Sequence, residues 1–78
     1  MQIRVGPNPA DDALFLYSDG PLTWLLTDAA GREILRGAAP STSHAITTSE
    51  LPNGVLLLHL LGPHGGPIEP PRRMLIQH

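Results

Sequence analysis

The sequence predicts an all-β domain made of two packed sheets, and three observations carry that prediction. Nine prolines and eight glycines are spread through the 78 residues, at intervals that leave little room for helices. Between them lie runs of about five to eight residues, the spacing of a β-sandwich or barrel. The third observation is the stretch Leu51-Pro-Asn-Gly-Val-Leu-Leu-Leu-His-Leu-Leu61. Turn chemistry at Pro52-Asn53-Gly54 opens an apolar run broken only by His59. Gly54 in front, Gly62-Pro63 behind and the lack of an N-cap residue mark that run as a strand. Strand alternation puts Leu56, Leu58 and Leu60 on one face and Val55, Leu57, His59 and Leu61 on the other. The strand is therefore central, with one side partly wet.

The remaining elements must supply its partners. Gln2 to Val5 is an opening strand with Ile3 and Val5 on one face. Gly6-Pro7-Asn8-Pro9 ends it, because the two prolines remove backbone donors and force the residues before them towards extended conformations. This stretch reads either as a stiff corner or as a rigid, exposed recognition element. Ala13 to Tyr17 alternates again, with Leu14 and Leu16 facing one way and Ala13, Phe15 and Tyr17 the other. Asp11 and Asp12, adjacent in an extended chain, point to opposite faces and make a poor catalytic dyad. Ser18-Asp19-Gly20-Pro21 is a dense turn.

Leu22 to Thr27 places Leu22, Trp24 and Leu26 inward and Thr23 and Thr27 outward, with Leu25 an exception. Asp28-Ala-Ala-Gly31 is a hairpin loop: Asp28 accepts from backbone N–H groups and Gly31 is free to take positive φ. Arg32 to Gly37 returns with Ile34 inward. A small-residue loop, Ala38 to Ser43, precedes a strand around His44 to Thr48. Thr47 and Glu50 have capping-box spacing, but Pro52 allows at most a brief helical turn there. The loop Gly62 to Pro71 is too rich in proline to pair along its length, and Arg72 to Gln77 is the closing strand. That makes about seven antiparallel strands, a small immunoglobulin-like β-sandwich.

Composition narrows function mostly by exclusion. The formal net charge is -2 and all five basic residues are Arg, which gives no reason to expect nucleic acid or an anionic membrane. No apolar stretch has the length of a membrane span, so no membrane insertion is expected. Met1-Gln2-Ile3 does not begin a signal peptide. With no cysteine there are neither disulfides nor thiolate metal sites. His59, His64 and His78 lack the spacing of metal ligands. Ser41, Ser43 and Ser49, with His44 as a base, lack a Gly-x-Ser-x-Gly elbow. No catalytic residue, metal site or cofactor is expected, and the chain is read as a non-enzyme.

The ordered punctuation of the chain resembles a known family, the type A C-terminal sorting domain of proteins exported by the type IX (Por) secretion system. Four places carry the likeness. Val5-Gly6-Pro7-Asn8-Pro9-Ala10-Asp11-Asp12 looks like the family's opening strand and Pro-Asn-Pro corner. Leu26 to Ile34 looks like its apolar-x-Asp-x-x-Gly-Arg hairpin. Leu51-Pro52-Asn53-Gly54-Val55 matches its Leu-Pro-x-Gly strand entry. Arg73-Met74-Leu75-Ile76-Gln77 matches its basic-then-apolar end. In two places the chain departs from the family: Leu56 stands where Tyr is usual, and Arg73 where Lys is usual.

What the resemblance implies is a non-catalytic address. Residues 1–78 are then a single sorting domain, a piece of a longer secreted protein with an N-terminal passenger. The partners implied are the outer-membrane translocon and the sortase that usually removes the domain. The passenger crosses the periplasm to the cell surface or beyond. The resemblance nominates Pro7, Asn8, Pro9, Arg73, Met74 and Ile76 for recognition by the machinery, with Asp28, Gly31, Leu51 and Gly54 as structural positions. The competing expectation is an immunoglobulin-like adhesion or spacer module that binds carbohydrate or protein.

Overall fold

The fold is given by a computed structural model that describes residues 3–39, 43–62 and 65–78. Seven strands follow one another: β1 (Ile3–Gly6), β2 (Ala13–Ser18), β3 (Leu22–Thr27), β4 (Glu33–Ala39), β5 (Ser43–Thr47), β6 (Gly54–Leu61) and β7 (Arg72–Ile76). There is no helix among the described residues. One sheet has the order β1-β2-β5 and the other β4-β3-β6-β7, with every pairing antiparallel. This is an immunoglobulin-like sandwich in which the fourth strand joins the sheet of the third. The central strand expected from Leu51 to Leu61 is β6, between β3 and β7.

Period-two alternation explains which side chains meet between the sheets. Leu14 and Leu16 of β2, Ile46 of β5, Leu26 of β3, Leu58 and Leu60 of β6 and Ile76 of β7 are each less than 2% exposed. Full burial of such a side chain contributes roughly 1.5–3 kcal/mol. The other face of β6 is half-buried, as the mixed sequence of that face requires. Leu56 lies in the core.

One inward assignment is corrected, and one outward residue is buried. Ile34 does not face the core and is 39% exposed. The β3–β4 register shifts between Leu26 and Thr27, passing from Leu26↔Leu35 to Thr27↔Glu33, so Ile34 is skipped as a bulge. Thr27 keeps the outer face, the face of His59, but is buried there: its Oγ1 lies 2.9 Å from Nε2 of His59 on the neighbouring strand. In the stretch from Thr47 to Glu50, the hydrogen bonds come from Thr48. Its backbone N–H donates to Asp12 O at 2.9 Å and its Oγ1 to Asp11 O at 2.8 Å, while Leu51 N–H closes one turn onto Thr48 O. His64 and Ser41 lie outside the described residues.

Candidate recognition surface

The surface is built where the Pro7-Asn8-Pro9 corner meets β7. Pro7 and Pro9 carry no N–H, so the corner cannot pair as a strand through its own backbone. The side chain of Asn8 substitutes for the missing peptide groups. Its Oδ1 accepts from Leu75 N–H at 3.0 Å, and its Nδ2 donates to Arg73 O at 3.4 Å. A carboxamide has both an acceptor and donors, so it presents to β7 what a neighbouring peptide would. Ala10, fully buried, continues the contact through its backbone: its N–H donates to Leu75 O, and its O accepts from Gln77 N–H, both at 2.8 Å. Asn8 and Ala10 thus act as a surrogate strand along the free edge of β7. Both X-Pro bonds of the corner, Gly6–Pro7 and Asn8–Pro9, are cis.

The corner separates two surface concavities. A shallow one of about 320 Å³ is lined by Asn8, Pro9, Val55, Arg73 and Leu75. A larger one of about 580 Å³, on the outer face of the three-stranded sheet, is lined by Arg4, Val5, Gly6, Pro7, Phe15 and Tyr17. Pro7, Asn8 and Pro9 are all exposed.

The two adjacent arginines of β7 have different surroundings. Arg72 is ion-paired with Glu69 and also donates to Ile3 O at 2.9 Å, tying β7 to the edge of β1. Arg73 is exposed and forms no salt bridge among the described residues. Met74 and Ile76 are 3% and 1% exposed and belong to the core, because alternation that turns Arg73 outward must turn them inward. The residue that shares the surface with Arg73 is Leu75, 38% exposed, which sequence reasoning passed over. Its position two residues after Arg73 is the signal that could have found it.

The structural positions sit in the turns. Asp28 Oδ1 accepts from the N–H groups of Ala30 and Arg32, both at 2.9 Å, and its Oδ2 accepts from Arg32 Nε at 2.8 Å. The backbone N–H of Arg32, ahead of its guanidinium, holds the Asp28 carboxyl below its ordinary pKa. Gly31 has φ +88° and Gly54 φ +146°, conformations that L side chains rarely adopt. Leu51 is half-buried against the core, and its carbonyl accepts from Nε2 of His78 at 2.7 Å. His78 is a second residue that sequence reasoning left without a role. No group of three or more His, Cys, Asp or Glu is placed to hold a metal among the described residues.

Replacing Asn8 by alanine is expected to lower stability by about 1–2 kcal/mol, from the loss of two hydrogen bonds worth roughly 0.5–1.5 kcal/mol each. Amide exchange reads the effect locally, through faster exchange at Leu75. Asn8→Asp keeps the acceptor for Leu75 N–H but sets a carboxylate oxygen against Arg73 O, so it is expected to rescue only part of the loss.

Residues 4–64 match the family described as the secretion system C-terminal sorting domain, a span that runs from the second residue of β1 through β6 and ends before β7. No curated protein and no solved structure matches the chain. A match over that much of the chain, on the all-β fold and in the order of turns described above, means that the chain belongs to the family of type IX secretion C-terminal sorting domains.

Proposed function

We propose that the domain is a non-catalytic export address, read as a folded surface made by the Pro-Asn-Pro corner and the outward side chains of β7. Family membership supports a type IX secretion sorting signal, which implies interaction with that machinery, attachment to an N-terminal passenger and export to the cell surface or the extracellular space. The family is generally non-catalytic. The finer reading assigns direct contact to Pro7, Asn8, Pro9, Arg73 and Leu75. Met74 and Ile76 fix the strand from inside. Transit through the periplasm, contact with the translocon and removal by a sortase belong to the same proposal.

The observation that carries this reading is the pair of Asn8 hydrogen bonds to β7. They join two segments 65 and 67 residues apart into one exposed surface.

The test fuses the chain behind a signal peptide and a fluorescent reporter in a bacterium with a type IX system. The parent chain is expected to bring the reporter to the surface or medium. Arg73→Glu is expected to reduce export several-fold at an unchanged melting temperature, because the side chain is exposed and makes no ion pair among the described residues. Ile76→Asp is expected to lower both, because it puts a charge in the core. A reporter that stays in the periplasm with the parent chain overturns the reading.

A second reading, an adhesion module, is favoured by one observation. Phe15 and Tyr17 are 43% and 49% exposed on the same face of β2, and both line the larger concavity. Phe15 has Gly6 and Ala45 as cross-strand neighbours, which leave its ring open. Binding on a glycan array that is lost in Tyr17→Ala would favour this reading.

A further inference from the structure

We infer that His78 is a protonation-dependent clasp that fastens the end of the terminal strand to the corner after β1 and to the turn before β6. Its Nδ1 lies 2.6 Å from Asp11 Oδ1 and its Nε2 lies 2.7 Å from Leu51 O. Its backbone N–H donates to Asn53 Oδ1 at 2.9 Å. An ionised carboxylate and a carbonyl are both pure acceptors, so both ring nitrogens must donate. Only the imidazolium has two N–H groups; either neutral tautomer leaves one lone pair facing an acceptor oxygen.

The charged groups around the ring have one sign. Asp11 and Asp12 approach from the β1–β2 connection. From the β5–β6 turn come the Leu51 carbonyl and the Asn53 carboxamide; Glu50 of that turn makes no ion pair with the ring. The preceding residue on its own segment, Gln77, is uncharged. The pKa of His78 is accordingly raised above the ordinary 6.5, first by the hydrogen bond with Asp11, then by that with Leu51 O, with the Asp11 and Asp12 charges adding and desolvation opposing. A raised folded-state value fixes the sign. The stabilisation is fully present below the unfolded-state pKa of 6.5 and is lost as pH rises through the folded-state value.

The clasp closes the same edge that Asn8 and Ala10 cover. Asp11 is the next residue of the surrogate strand after Ala10, and His78 the next after Gln77, so release at the ring frees the distal end of that contact first. The ring is 31% and its partner 64% exposed, so the proton exchanges freely with solvent.

The test is a proton NMR titration of the histidine ring signals from about pH 5 to about pH 9, spanning the ordinary histidine range. Amide protection factors at Gln77 and His78 are measured over the same range. The expected result is a His78 midpoint above 6.5, a lower midpoint in Asp11→Asn, and protection that falls several-fold through the parent's midpoint. His78→Gln is expected to show weak, pH-flat protection at the same amides, with the core amides unchanged. A midpoint at or below the ordinary value, an unchanged midpoint in Asp11→Asn, or parent protection that stays flat through the titration would overturn the clasp. None of these readouts involves export.

Discussion

Leu58→Ala is expected to lower the unfolding free energy by about 2–5 kcal/mol, the range for emptying a well-packed leucine site. Leu58 is fully buried and sits opposite Leu26 on β3 and Arg72 on β7. It is flanked by both neighbouring strands of its sheet and covered by the other sheet, so the gap has little freedom to collapse. A chain of this size carries roughly 4–12 kcal/mol in all. The substitution therefore removes a large part of the total, and the urea midpoint falls accordingly. A loss under about 1 kcal/mol would mean that the core relaxes into the gap, contrary to the packing described.

Gly37→Ala is expected to cost about 1–3 kcal/mol, although it adds a single methyl group to an edge strand. Gly37 pairs with Trp24 across the β3–β4 ladder, and the indole lies over its backbone. A Cβ there would stand 2.7 Å from Trp24 Cζ2 and 3.0 Å from Cε2. The ring cannot retreat easily, since it is 5% exposed and packs near the His44 ring at a centroid separation of 6.0 Å. Its Nε1 is buried without a hydrogen-bond partner among the described residues, so packing alone holds the ring. Trp24 is the single tryptophan, and its emission should shift to the red as the ring is pushed towards water. In a Trp24→Leu background the Gly37→Ala cost should largely vanish, a coupling that a double-mutant cycle reads directly.

The strands and their order were legible because proline and glycine mark the boundaries and the apolar positions alternate between them. The Asp28–Gly31 hairpin was legible for a local reason: every group that shapes it lies within five residues. The misread positions depend on partners distant in sequence. Ile34 points away from the core because of a register shift, and register is a property of two strands. Thr27 is buried because His59 reaches it from β6. Of the residues nominated in the terminal strand, Met74 and Ile76 are on the opposite face from Arg73, and alternation puts Leu75 on the face of Arg73. Asn8 was nominated from the sequence, but its hydrogen-bond partners 65 and 67 residues away could not be read from the corner alone. His78 offers no local pattern, because its meaning comes from Asp11 and Leu51.

The corner that Asn8 holds is made before the groups that fix it, which follow 65 and 67 residues later. Until β7 has emerged and docked, Asn8 has neither Leu75 N–H nor Arg73 O to bond, and Ala10 lacks the neighbour that buries it. Contacts between such remote segments form late, because the loop between them must close first. A chain that stalls or is clipped before β7 therefore carries the Pro-Asn-Pro residues without their shape. If the machinery reads the joined surface, it inspects the finished product: the corner is displayed only on chains that have been made through to β7 and have folded.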